Sequence, residues 1–280
     1  MLERSYLFVP GNRPERIQKG MDSGADAVII DLEDAVAPEE KETARRRVRK
    51  TVEEFDTVHK KLYVRVNDRH TPFWKEDVAF VAHHHFFSGV MLPKTESAED
   101  IERLAANLSA EQTIIPLIET AKGVMSAFAI ASASKKVFRL AFGAVDYCLD
   151  LGIARTSSGK ELLYPRSALA VASRAAEIAP PIDTVYIDFQ EDEGLIADTK
   201  RAKQLGMLAK LCIHPRQVEI VNRMFTPSET ELNWAKEVIT VYEEAKKEGR
   251  AAVNHNGTMV DFPVYKQALQ LLKRVSSQKL

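Results

Sequence analysis

Eight short apolar segments recur along this chain, and their spacing constrains the fold more than any other feature. They are SYLFVP (5–10), AVIIDLE (27–33), KLYVRVN (61–67), GVMLPK (89–94), TIIPLIE (113–119), VFRLAFG (137–143), DTVYID (183–188) and AKLCIHP (209–215). Most are continuous rather than alternating, as expected of parallel strands covered on both faces. Polar stretches with helical spacing lie between them, at 38–55, 96–108, 120–132 and, more weakly, 191–204. Strand starts repeat every roughly 22 to 34 residues apart from one longer gap, which is the period of a βα unit. Eight such units predict an α/β fold, a (β/α)8 TIM barrel, and the 280 residues suffice for one. An open doubly wound sheet usually carries fewer strands, and no glycine fingerprint follows the first strand.

The barrel is expected over 1–225 and a C-terminal helical extension over 226–280. The longer gap, 144–182, reads as a loop over the barrel mouth followed by a helix at 166–179. In the extension, Ser228 and Glu231 form a capping-box pattern, Gly249 suits a helix stop, and Asn256 with Gly257 signals a tight turn. A barrel does not need this tail, so a lid packing on the barrel and on a neighbouring subunit is the expectation.

Active sites of such barrels lie at the carboxyl ends of the strands. Those ends supply Gly11, Asn12, Arg13 and Arg16 from strand one, then Asp31, Glu33 and Asp34 from strand two. They continue with Arg65, Asn67, Lys94, Glu119, Asp146, Asp188 and His214. Charged side chains at the ends of apolar runs are costly to bury unless paired, so their convergence points to an enzyme. Glu119 and Asp146 are hard oxygen donors on neighbouring strand ends, a pair suited to Mg²⁺. Two plainer readings stand beside that one: Glu119 as an ion-pair partner of Arg65, and Asp146 as a helix cap. His83, His84 and His85 precede strand four, on the opposite rim, and read as a solvated helix end. The basic run 45–50 reads as an exposed helix face.

A formal net charge of −1 and a pI near 6.7 give no nucleic-acid footprint and no membrane-surface patch. Cys148 and Cys212 read as buried thiols in a reducing compartment. The N-terminus has no sustained apolar core ahead of a cleavage site, and no stretch reaches membrane-spanning length, so a cytoplasmic location is expected.

The ordered motifs RSYLFVPGNRPERIQKG, GADAVIIDLEDAVAPEEK, LYVRVN, VMLPKTES, IPLIET, LAFGAVDYCLDLG, CIHPRQVEIVN and GTMVDFPVYKQAL span nearly the whole chain. They resemble the citrate lyase beta-subunit-like family, within the group of malyl-CoA and citramalyl-CoA lyases and HpcH/HpaI aldolases. The resemblance implies an oligomeric, often trimeric, TIM barrel using Mg²⁺ to cleave or form a C–C bond between an acyl thioester and a small 2-oxo acid. Carried over, it implies Glu119 and Asp146 as metal ligands and Arg65 at the thioester or oxo-acid oxygen. It places Gly11, Asn12, Arg16 and Lys19 on the coenzyme A side. Asp261, in the C-terminal motif, matches an acid/base that reaches a neighbouring subunit's site. Many relatives carry an acidic residue where Val145 stands, which suggests substrate tuning there. Asp31, Glu33 and Asp34 are expected to orient Arg65 and metal-bound water. A metal pair and a thioester substrate make a Schiff base at Lys94 unnecessary.

The leading expectation is therefore a Mg²⁺-dependent lyase or synthase acting on malyl-CoA, citramalyl-CoA or a similar 3-hydroxyacyl-CoA, with Mn²⁺ sharing the same ligand chemistry. The alternative is a citrate lyase beta subunit acting on a carrier-protein thioester within a larger complex. A metal-dependent aldolase acting on free acids is a third reading, which the VPGNRP segment weakly opposes.

Overall fold

The structure, a computed structural model, describes residues 2–55 and 60–276. Eight parallel strands close in sequence order: β1 (Ser5–Pro10), β2 (Ala27–Asp31), β3 (Lys61–Arg65), β4 (Gly89–Leu92), β5 (Thr113–Ile118), β6 (Arg139–Phe142), β7 (Ala179–Asp183) and β8 (Ala209–Cys212). β8 returns to β1 through Ser5↔Lys210, Tyr6↔Leu211 and Leu7↔Cys212, so the expected TIM barrel is the observed one. Among the described residues, ten α-helices lie between or just after the strands: α1 (Pro14–Asp22), α2 (Lys41–Val52), α3 (Trp74–Ala82), α4 (Ala98–Ala105), α5 (Ala121–Met125), α6 (Ala127–Ser132), α7 (Ala144–Leu151), α8 (Leu163–Ala175), α9 (Asp192–Gln204) and α10 (Pro215–Phe225). The stretch 120–132, expected as one helix, splits at Ser126, where φ −94° and ψ 2° leave the helical region.

Alternation along the strands explains why the segments are apolar throughout. Tyr6, Ile29, Tyr63, Met91, Leu117, Ala141 and Leu211 pack with one another in one core cluster. Leu7, Val28, Val64, Val90, Leu140 and Cys212, each one position away along its strand, join the cluster shared with the helices. The amino-terminal end of the inner cluster is closed by Arg139, fully buried, which donates to the carbonyls of Pro180 and Glu3 and to the Tyr6 hydroxyl. Cys148 and Cys212 are both buried and free.

β7 departs from the sequence reading. It covers 179–183 rather than 183–188, because the two prolines in APPID sit at an irregularity in the sheet. The register with β6 shifts between Arg139↔Ala179 and Ala141↔Ile182, so the missing proline N–H groups cost no ladder bond there. Asp183 therefore ends the strand, and Asp188 is an exposed loop residue whose Oδ1 accepts the Gln190 N–H at 3.0 Å.

Behind β7 and β8 lies a buried four-charge cluster. Arg166 donates to Asp183 at 2.7 Å and to Asp198 at 2.9 Å, and Lys210 donates to the same two carboxylates at 2.5 and 2.7 Å. Each charge is matched, which is what permits four ionic groups between strand and helix. The basic run is also less exposed than its composition suggests: Arg45 pairs at 2.7 Å with the fully buried Asp77. In the histidine triplet, His84 is half-buried and packs on Phe80, Phe86 and Phe87, leaving only His83 and His85 exposed.

Contacts group the chain into Glu3–Phe225 and a unit from Thr226 onward. Within the latter, Ser228 and Glu231 cap α11 (Glu229–Lys247) with a complete capping box. A two-stranded hairpin, β9 (Val253–His255) and β10 (Thr258–Val260), turns on Asn256 (φ 50°) and Gly257 (φ 79°). α12 (Phe262–Ser276) follows and packs on α11 around Val238, Tyr242 and Ala268. No helix among the described residues is long and apolar enough to cross a membrane.

Candidate active site

The parity that turns Ile29, Tyr63 and Leu117 into the barrel core turns Asp31, Arg65 and Glu119 to the same side, two residues on, at the carboxyl ends of β2, β3 and β5. Asp31 and Arg65 are direct partners in the β2–β3 register. They form a two-bond pair, Arg65 Nε to Asp31 Oδ1 at 2.8 Å and Nη2 to Oδ2 at 2.7 Å. Glu33 and Asp34 each lie 3.1 Å from the same guanidinium, and its far face covers the Phe8 ring at 5.1 Å. Arg65 thus pairs with the β2 acids, not with Glu119. Burial opposes its charge, but these three carboxylates outweigh that and shift its pKa upward. The β2 loop is itself braced: the buried Lys41 donates to the carbonyls of Leu32 and Glu33 at 2.7 and 2.6 Å, and Asn67 donates to that of Leu32 at 2.9 Å.

Glu119 follows directly on β5 and is 2% exposed. Its Oε1 accepts the backbone N–H of Lys94 at 2.8 Å. Lys94 takes φ +47° to present that N–H, and its ammonium donates to Glu33 at 2.6 Å. Burial pushes the Glu119 carboxyl up to about 8; the charges of Asp146 and Glu33 add to this, while the Lys94 N–H and Arg65 oppose it. Burial also raises Glu33, against the pull of Arg65 and Lys94. Lys94 loses some basicity to burial, but its bond to Glu33 more than restores it, so the amine is a held ammonium.

Asp146 stands in the first turn of α7, half-buried. It is not a helix cap: the cap position is Gly143, with no side-chain hydrogen bond. The start of α7 is fixed instead by Thr184, whose hydroxyl accepts the Ala144 N–H at 2.9 Å. Gly143 also makes room for Glu119, since a Cβ there would stand 2.5 Å from Glu119 Oε2. Val145, beside Asp146, is 44% exposed.

The mouth therefore carries Asp31, Glu33, Asp34, Glu119 and Asp146 against Arg65 and Lys94. The donors are oxygen only, the surplus charge is negative, and Glu119 is a buried carboxyl whose ionised form needs a cation. These residues fit a hard divalent cation. Among the described residues no group of three or more His, Cys, Asp or Glu is arranged to hold a metal. A two-carboxylate site leaves coordination positions for water and substrate, as Mg²⁺ favours.

The strand-one residues lie at the same end of the barrel. Gly11 donates its N–H to the Asp31 carbonyl at 2.9 Å, and a Cβ there would stand 2.7 Å from the Leu32 side chain. Asn12 donates to Glu40 at 2.7 Å, while Arg16 and Lys19 extend from α1 into solvent. Asp261 lies in the C-terminal unit, where its Oδ1 accepts the Val264 N–H at 3.1 Å at the start of α12.

The sequence profile of the HpcH/HpaI aldolase/citrate lyase family matches residues 4–215. The chain belongs to that family. It is 37% identical to citrate lyase subunit beta of Leuconostoc mesenteroides subsp. cremoris, over all of this chain and 95% of that protein. It is 33% identical to the L-malyl-CoA/beta-methylmalyl-CoA lyase of Rhodobacter capsulatus, over all of this chain and 96% of the relative. The crystal structure of CitE from Mycobacterium tuberculosis in complex with magnesium, acetoacetate and coenzyme A superposes with a TM-score of 0.84 at 33% identity, covering 98% of each chain. These HpcH/HpaI relatives are lyases, and they share the barrel.

Sequence reasoning missed the supporting residues of this family site. Gly143 makes room for Glu119, Thr184 fixes the start of α7 and Lys41 braces the β2 loop, through contacts that no pattern in the chain marks. Only Gly143 carried a local hint, as the glycine ending the sixth apolar run.

Proposed function

We propose that this HpcH/HpaI family member is a Mg²⁺-dependent carbon–carbon lyase that cleaves, or in reverse forms, a 3-hydroxyacyl-CoA of the malyl-CoA or citramalyl-CoA type. The products are acetyl- or acyl-CoA and a small 2-oxo acid. The observation that carries the reading is Glu119, a buried carboxyl beside Asp146, facing an arginine fixed by Asp31. The solved CitE complex with magnesium, acetoacetate and coenzyme A supports the same ligand classes.

Glu119 and Asp146 would hold the cation, which when bound supplies Lewis-acid polarisation of substrate oxygens. Arg65 presents a fixed positive charge for the thioester oxygen, where negative charge develops as the C–C bond breaks. Because Asp31 already holds that guanidinium along one edge, through Nε and Nη2, little reorganisation accompanies the reaction. Lys94 contributes charge and a backbone N–H that orients Glu119; an amine so paired is a poor imine-forming nucleophile. During cleavage the 3-hydroxyl loses its proton as the bond breaks, and the released electron pair on the thioester α-carbon takes up a proton. Asp261, contributed by a neighbouring copy in a trimer or higher oligomer, is assigned to that α-carbon proton. Arg16 and Lys19 suit the phosphates of coenzyme A, with Gly11 and Asn12 shaping the approach. A cytoplasmic location is part of the same reading.

The test is cleavage of malyl-CoA and citramalyl-CoA by the purified protein, with release of acyl-CoA and oxo acid followed with and without chelator. Chelator-sensitive cleavage supports the reading; failure on both substrates overturns it. The 37% identity to the Leuconostoc beta subunit favours a second reading, a carrier-protein thioester within a multi-subunit lyase, which requires added carrier for turnover.

A further inference from the structure

Two neighbouring helices of the barrel's outer layer carry no charge on their outward faces. Residues 123–134, the end of α5 and all of α6, contain no Asp, Glu, Lys or Arg. Residues 163–173 of α8 contain only Arg166, which is buried against Asp183 and Asp198. Charged residues make up 28% of the whole sequence, so two such runs side by side are a departure from its composition. They do lie side by side: α6 packs against α8, and the Tyr164 hydroxyl stands 3.6 Å from Met125 Sδ.

Helical spacing turns one row of each run outward. Met125, Phe128 and Ser132 recur at i, i+3 and i+7, a row that continues through the break at Ser126. Tyr164, Ala168 and Val171 recur at i, i+4 and i+7 on α8. The large members of these rows, with Leu163, are between 53% and 76% exposed. The inward faces are apolar as well, with Ile130 and Leu169 fully buried. A surface helix ordinarily shows water a polar face; one that is apolar all round is covered on both sides.

The size of the strip points the same way. Five large side chains this open present on the order of 600 Å². That is the upper end of the roughly 300–600 Å² found for the largest apolar patch of a typical monomer. The alanines and serines between them extend the strip towards the roughly 800 Å² that each partner gives to a standard interface. Depletion of charge marks the core of permanent interfaces, and those between identical chains are the more apolar. A partner that came and went would leave this strip in water for part of the time; another copy of the chain is always present. We propose that the charge-free strip of α6 and α8 is an interface with a second copy of this chain, anchored by Met125, Phe128, Tyr164 and Val171. The inference stands on exposure and composition and does not rest on the lyase reading.

The test is sedimentation velocity of the full chain and of its Phe128→Glu, Val171→Glu and Ile187→Glu variants at micromolar concentration. Ile187 is 54% exposed but lies off the strip, in the loop after β7. The wild type and Ile187→Glu are expected to sediment as the same oligomer. A carboxylate placed in an apolar interface costs several kcal/mol, so each strip variant should associate at least about a hundredfold more weakly and run as a smaller species. Circular dichroism checks that the variants are folded. A second readout needs no variant: Met125, 76% exposed in the single chain, should be oxidised by peroxide far more slowly in the native wild type than in urea. A monomeric wild-type chain, strip variants that keep the wild-type oligomer, or Met125 oxidised as fast in the native protein as in urea overturns the proposal. An oligomer that survives both strip substitutions overturns the strip alone, because turnover is not the readout and the lyase reading is unaffected.

Discussion

Glu119 fits beside Gly143 only because that position lacks a side chain: a Cβ there would meet the Glu119 Oε2 at 2.5 Å and its Cβ at 2.6 Å. One strand end thus depends on the next for the placement of its carboxylate. Gly143→Ala is expected to displace Glu119, costing about 1–3 kcal/mol of stability through overpacking. Metal-dependent turnover should fall by about a hundredfold, given the sensitivity of such sites to misplacement. Activity near wild type in a stably folded Gly143→Ala protein would show that the carboxylate does not need this position.

The Glu119 carboxyl, raised from an ordinary 4.5 to about 8, sets a pH dependence. Its folded pKa lies above its unfolded one, so the folded chain binds more protons between those values. The metal-free protein therefore loses stability as pH rises from about 4.5 towards 8. Added Mg²⁺ favours the ionised form, so the stabilisation it brings, read as a rise in melting temperature, should grow with pH over the same interval. Glu119→Gln should flatten both trends. A wild-type melting shift from Mg²⁺ that is independent of pH contradicts this assignment.

Asp261 has a structural duty as well as its proposed chemical one, because it accepts the Val264 N–H. Asparagine caps helices about as well as aspartate, so Asp261→Asn separates the two. The melting temperature should hold while turnover falls by about 10²–10⁴, the usual share of general acid–base catalysis. Turnover that survives in this variant removes Asp261 from the proton step.

The buried cluster behind β7 and β8 predicts a different phenotype. Lys210→Met leaves Asp183 with Arg166 as its one cation, and Asp198 with Arg166 and the more distant Arg201, and should destabilise the fold by about 3–5 kcal/mol in a urea titration. Burial alone would raise the Asp198 carboxyl, but Lys210 and Arg166 hold it well below its ordinary 3.8. Its stabilising contribution is thus complete above that value and disappears as pH falls through the lower, folded one. The variant should lose much of this acid-side slope. An unchanged urea midpoint would show that the cluster contributes little net stability.

The parts of this molecule legible in its sequence are those written as local patterns. The strands declared themselves because both of their faces are buried, and Asp31, Arg65 and Glu119 were legible because alternation along a strand carries them to the same side as the core residues two positions earlier. The capping box at Ser228 and the turn at Asn256 and Gly257 were equally local. β7 was displaced because its prolines argue against a strand, and only the register shift with β6 accommodates them. Arg45 looks solvated in the sequence because its partner, Asp77, lies 32 residues away.

The most direct test of the central claim, that Glu119 and Asp146 together hold a divalent cation at the mouth, is a Mn²⁺ titration followed by electron paramagnetic resonance. Wild-type, Glu119→Gln and Asp146→Asn proteins are compared, with Mg²⁺ as competitor. One Mn²⁺ per wild-type chain, displaced by Mg²⁺ and lost in both variants while their folds persist, is the predicted result. Mn²⁺ retained at full stoichiometry in either variant would contradict the account.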